Sequence, residues 1–119
     1  MGKYKKTLVY NDYIVAEVAI VSYDSIEVKP YNLNRRQGFL TLSYNLKDEI
    51  KDMYLKRYSS AKNDGDSIII KTSTPEEDFD VVFNMLESDS RYKEYIEDIE
   101  KRFGEWYKNV RKQNNGIRE

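Results

Sequence analysis

The sequence predicts an α+β fold: an N-terminal antiparallel β-meander with helices packed on it, in the order ββββαβαα. Three observations predict it. Runs of alternating β-branched and aromatic residues fill the N-terminal part up to Tyr44, Thr74-Pro75-Glu76-Glu77 reads as a helix start, and a stripe of large apolar residues at helical spacing runs from Tyr92 to Val110.

Lys3 to Tyr10 is the first predicted strand, closed by the turn-prone pair Asn11-Asp12. Tyr13 to Ser22 is the second. Ile14, Ala16, Val18 and Ile20 alternate with Val15, Glu17, Ala19 and Val21, so both faces are mainly apolar and a central strand covered on both sides is expected. Tyr23-Asp24-Ser25 turns the chain into a third strand, Ile26 to Tyr31, in which Pro30 must sit where no ladder hydrogen bond is needed. The polar stretch Asn32 to Gly38 reads as a loop, and Phe39 to Tyr44 as the fourth strand.

Asn45 is placed to cap a helix with Asp48 at its third position; Leu46, Ile50, Met53, Tyr54, Arg57 and Tyr58 mark one side, and Asn63-Asp64-Gly65 ends it. Ile68-Ile69-Ile70 is too short and too β-branched for a helix and is the fifth strand. Thr74 then caps a helix with Pro75 at its first position and Glu77 closing a capping box; Phe79, Val82, Phe83 and Leu86 form its apolar face. A long amphipathic C-terminal helix follows from Arg91 to Gln113, with Tyr92, Tyr95, Ile96, Ile99, Phe103, Trp106, Tyr107 and Val110 on one stripe. Asn114-Asn115-Gly116 is expected to stop it and the tail to fray.

The 119 residues fit one domain, long enough to bury a core without covalent staples. The chain has neither Cys nor His, which removes disulfide frameworks, zinc fingers, iron–sulfur sites, thiol nucleophiles and Ser-His-Asp triads. The longest mainly apolar run, Tyr13 to Val21, contains Glu17 and falls short of the roughly 20 residues a membrane helix needs. Met1-Gly2 lacks the Ser or Thr that myristoylation requires, since Lys6 stands in its place. A cytoplasmic setting is expected, the host cytoplasm if the gene is viral, with no membrane partner. At net charge −1 the chain lacks the basic surface of a duplex-DNA binder and the acidity of a nucleic-acid mimic. Its 11 Tyr beside abundant Lys, Ile and Asn match an AT-rich coding sequence, as in low-GC bacteria, their phages and some plasmids.

The acidic cluster Glu76, Glu77, Asp78 and Asp80 lies in a predicted first helical turn, where carboxylates stabilise the helix dipole, so no metal is assigned to it. No cofactor is expected. Asp12 with Glu27-Val28-Lys29 on a strand resembles the D…E-x-K constellation of the PD-(D/E)xK nuclease fold. That resemblance implies two carboxylates on Mg²⁺ and a lysine assisting the attacking water. It covers only Asp12, Glu27 and Lys29, and the helix expected before those strands is absent. Gly-rich phosphate loops and nucleophile elbows are also absent.

The distinctive surplus is Tyr with Arg: Arg35 and Arg36 together, Tyr54 one turn from Arg57, Arg91 beside Tyr92, and Arg111 near the C-terminus. Aromatic faces stack bases and Arg forks grip phosphates, but the same residues anchor protein interfaces. The plain alternative is that tyrosine fills the core. The reading expected from sequence is a small non-catalytic binding protein of the phage or mobile-element accessory type, an anti-defence inhibitor that blocks a host protein. The alternative is a sponge or sensor for a small, cyclic or linear, nucleotide; a Mg-dependent nuclease is the distant third. The apolar stripe of the last helix outruns what a small sheet covers, which predicts a homo-oligomer, in the simplest case a homodimer.

Overall fold

The computed structural model describes residues 4–118, with side chains described as far as Val110. It is α+β. A five-stranded antiparallel sheet takes the order β1-β2-β3-β7-β6, where β1 is Lys5–Tyr10, β2 Tyr13–Ser22, β3 Ser25–Pro30, β6 Ala61–Asp64 and β7 Ser67–Lys71. A separate two-stranded ribbon joins β4 (Leu33–Gln37) to β5 (Leu40–Tyr44). The helices are α1 (Leu46–Arg57), α2 (Pro75–Glu87) and α3 (Arg91–Arg118). All five predicted strands and all three helices are present, the fourth as β5 beginning at Leu40 rather than Phe39; Lys3, expected to open the first strand, lies outside the described residues.

Tight turns set the registers. Asn11 and Asp12 have positive φ of 48° and 68°, the backbone of a two-residue hairpin turn whose twist matches the strands it joins. One face of the sheet is buried: Leu8, Ala16, Val18, Ile26, Val28, Ile68 and Ile70 meet Leu46, Ile50 and Tyr54 of α1 and Phe79, Val82, Phe83 and Leu86 of α2 in one cluster. The register jumps between Leu8, opposite Ala16, and Val9, opposite Ile14, leaving Val15 as the extra residue of a bulge. Both Val15 and Ala16 are thereby buried. Pro30 needs no N–H toward β7, because that ladder ends at Val28.

Several expectations are corrected. The strand β2 is internal but is not covered on both sides: Ile14 and Val21 are exposed and Glu17 and Ala19 half-buried, so its outer face is open. Residues 33–37, expected as loop, form β4. Their sequence is polar because only alternate side chains turn inward, and pairing with β5 supplies the rest. Helix α1 stops at Arg57, and Ala61–Asp64 becomes a short edge strand paired to β7. Asn63-Asp64-Gly65 thus serves a strand and its turn, with Gly65 at φ 63°.

Asn45 caps α1 as expected, accepting from the Asp48 N–H at 3.3 Å. Thr74 does not form a capping box with Glu77. Its hydroxyl donates instead to Asp78 at 3.2 Å, and its N–H donates to Thr72 Oγ at 3.1 Å. Helix α3 continues through Asn114-Asn115-Gly116 to Arg118. No helix among the described residues is long and apolar enough to cross a membrane.

Candidate functional site

Helix α3 is held to the body by its first half. Tyr92, Ile96, Ile99 and Phe103 are buried at i, i+4, i+7 and i+11. They pack where the inward face of the β4–β5 ribbon, Leu33, Arg35, Leu40, Leu42 and Tyr44, meets the main core. Polar contacts fix the helix axially. The Tyr44 ring stacks on Tyr95 with centroids 4.9 Å apart, and the Tyr44 hydroxyl donates to Asp98. The Tyr95 hydroxyl donates to Glu49 of α1 at 2.6 Å. Hydrogen bonds to the carboxylates of Asp98 and Glu49 push the Tyr44 and Tyr95 phenols above their ordinary value.

The ribbon meets α3 at its tip as well. Its two-residue turn is Gly38-Phe39, with Gly38 at φ 61° and Gln37 paired to Leu40. Positive φ at the first turn position favours Gly for steric reasons. Contact favours it too: a Cβ on Gly38 would stand 3.0 Å from Cζ2 of Trp106, so the indole would have to shift. Trp106 in turn packs edge-on against Phe103. The turn is thus seated on an indole, and its next residue, Phe39, is turned fully to solvent at 105% relative exposure. Tyr107, adjacent on α3, is half-exposed. A fully exposed phenylalanine on a two-residue turn braced from below is the most conspicuous aromatic on the described surface, and it is the candidate site.

The residues nominated from sequence are dispersed. Tyr54 and Tyr92 are core residues: the Tyr54 hydroxyl donates to the Val82 carbonyl at 2.6 Å, and that of Tyr92 to the Glu87 carbonyl at 2.7 Å. Neither ring is open to a ligand, which corrects their assignment to a binding pocket. Arg35 and Arg36 are strand neighbours and so point to opposite faces. Arg35 turns inward, its guanidinium 4.6 Å from the Phe103 ring centroid and 3.0 Å from Glu100, and also donates to the Tyr13 hydroxyl. Arg36 turns out to solvent. The pair cannot clamp one phosphate.

Arg57 and Arg91 do line one cleft of about 440 Å³ with Glu49, Asp52, Met53, Lys56 and Met85. Arg91, however, is held by Asp89 at 2.6 Å and lies 3.7 Å from Glu49. Burial works against charge on the Asp89 carboxyl, but its bonds from the Arg91 side chain and backbone outweigh this and hold it below the usual range. The Arg111 side chain lies outside the described residues.

The nuclease constellation does not assemble. Glu27 pairs with Ala19, while Asp12 lies beyond the far end of the same strand, roughly 20 Å away at about 3.3 Å per residue. Glu27 and Lys29 do share the open outer face with Glu17, which accepts from Tyr31 at 2.6 Å and pairs with Lys5 at 3.5 Å. Among the described residues no group of three or more carboxylates is placed to hold a metal ion.

Sequence reasoning missed Phe39 because it was placed inside a strand. The available signal was Gln37-Gly38, a glycine directly before a large apolar residue between two runs that alternate. The chain matches no protein family, no curated protein and no solved structure.

Proposed function

We propose that this chain is a non-catalytic binding protein of the phage or mobile-element accessory type, which docks on a host protein and blocks it, with Phe39 as the anchor. The observation that carries the reading is the full exposure of Phe39 on a turn braced by Trp106. A large ring held in water by a fixed turn is open to a partner's pocket. Aromatic side chains presented on rigid backbone lose little freedom on docking and dominate interface energetics. The tip also carries Arg36 on its outward face, an interface-prone residue beside the anchor.

The test is affinity capture with the tagged chain and its Phe39→Ser variant, both checked for the same melting temperature. A stoichiometric protein partner retained by the wild type and lost by the variant supports the reading. Equal capture by both chains removes the tip as anchor, and no capture by either at low salt removes protein blocking.

The nucleotide reading keeps one supporting observation, the shared cleft of Arg57 and Arg91. Glu49 and Asp52 in the same lining work against an anion there. A thermal-shift panel of linear and cyclic nucleotides tests it: a ligand at 100 times its Kd adds about 2.7 kcal/mol, several degrees for a chain this long.

A further inference from the structure

The two edges of the main sheet are built differently. One edge is β6, four residues long and carrying Lys62, Asn63 and Asp64, a short polar strand of the kind that discourages further pairing. The other is β1, six residues long, and among the described residues no strand pairs with its outward side. Strand β1 has neither a proline nor a bulge of its own, since the extra residue of the irregularity is Val15 on β2. Lysines protect an edge by extending from it into solvent. Here both are directed back at their own chain: Lys5 lies 3.5 Å from Glu17, and Lys6 lies 3.7 Å from Asp80 and 5.2 Å from the centroid of the Phe83 ring.

Register fixes which backbone groups face outward. Ile20 donates its N–H to the Tyr4 carbonyl, so the alternate residues Lys6 and Leu8 also direct their backbone groups at β2. Lys5, Thr7 and Val9 then turn N–H and C=O to the open edge. Thr7 is exposed, as are Val9 and Ile14, which stand opposite each other on β1 and β2.

We propose that this edge takes β1 of a second copy of the chain, paired antiparallel about a two-fold axis at Thr7, so that the two sheets become one. The residues of β1 select this register. An axis at Lys5 sets Lys5 opposite itself, and an axis at Lys6 does the same to Lys6. At Thr7, Lys5 stands opposite the partner's Val9, Lys6 opposite the partner's Leu8 and Tyr4 opposite the partner's Tyr10. No like charges meet, and about six backbone hydrogen bonds form from Lys5, Thr7 and Val9 of the two strands. Thr7 meets the partner's Thr7 in a favourable cross-strand pair, and the aliphatic stem of Lys5 covers the partner's Val9. A two-fold contact uses the same surface on both copies and closes, leaving no edge at β1 to recruit a third.

The helices leave room for this pairing. Helix α2 packs beneath β2 and β3, and the two β2 strands lie three strand spacings apart across the axis, roughly 14 Å. Packed helices need only about 8–10 Å between axes, so the two α2 helices do not collide.

Sedimentation velocity at high micromolar concentration tests this, with circular dichroism and melting temperature confirming that each variant is folded. The wild type is expected at twice the chain mass. Thr7→Pro removes an N–H that β2 does not use, and Thr7→Lys sets like charges opposite each other at the axis; both are expected at the mass of one chain with the wild-type spectrum. Because the chain has no cysteine, a single introduced thiol reports the register. Thr7→Cys is expected to form a disulfide dimer under mild oxidation, its Cα standing about 5.5 Å from its mate. Val9→Cys is expected not to, because the two Val9 positions are four residues apart along the paired strands, roughly 13 Å. A monomeric wild type overturns the proposal. So does a dimer that survives Thr7→Lys or a folded Thr7→Pro, or cross-linking at Val9→Cys equal to that at Thr7→Cys.

Discussion

The two halves of α3 share one pattern and meet different fates. From Tyr92 to Phe103 the stripe is buried or half-buried and tied to α1 and to the ribbon; at Trp106, which meets the Gly38 turn, and Val110 the same spacing continues with the side chains only half-buried. Helical periodicity therefore states that a stripe exists but not what covers it. Charge separates the halves where hydropathy does not: the first half mixes both signs, and the second is wholly basic up to Arg118.

The largest expected effect that tests this contrast is truncation of a docked side chain. Ile96→Ala should cost about 2–5 kcal/mol in denaturant unfolding, whereas exposed Asn109→Ala should stay within about 0.5 kcal/mol. Similar losses at both sites would erase the distinction. At the boundary, Gly38→Ala forces a side chain into the left-handed region and against Trp106, for a loss of roughly 1–2 kcal/mol in thermal melting.

Arg35 and Arg36 sharpen the same contrast one layer out. Arg35→Ala removes a guanidinium stacked on Phe103 and bonded to Glu100, with an expected loss of about 1 kcal/mol, while Arg36→Ala should be silent in stability. An equal effect of both substitutions would contradict the opposed strand faces.

The smallest effect is one of pH. The Tyr44 and Tyr95 phenols, donating to Asp98 and Glu49, are raised above their ordinary value, so their stabilisation is complete below about pH 10 and is lost as pH rises through their folded values. On the outer sheet face, Tyr31 is pushed up to about 12 by its bond to Glu17. An alkaline titration of Tyr44→Phe should show a smaller loss of stability above pH 10 than wild type, and an unchanged titration would remove the phenol–carboxylate pair from the docking of α3.

The legible parts of the sequence were those where local chemistry and tertiary need agree. Asn11-Asp12 forms the turn its residues favour, Asn45 caps α1, Pro75 opens α2, and the β2 boundaries are as read. Strands β4 and β6 were hidden because Asn34-Arg35-Arg36-Gln37 and Lys62-Asn63-Asp64 lack β-formers and exist only by pairing with β5 and β7. The open face of β2 was misjudged because the bulge at Val15 changes which residues turn inward, and a strict period of two does not contain it. The site was obscured for a related reason. Arginine and tyrosine near one another in sequence were read as neighbours in space, but the strand sends Arg35 and Arg36 apart, and the helices bury Tyr54 and Tyr92.

The chain contains a single tryptophan, and it is the residue on which Gly38 rests. Its fluorescence therefore reports one joint. Lifting the ribbon tip wets the indole and shifts its emission to the red even while the sheet and α1 stay folded, so the molecule carries its own optical gauge of a local opening that no measure of global unfolding resolves.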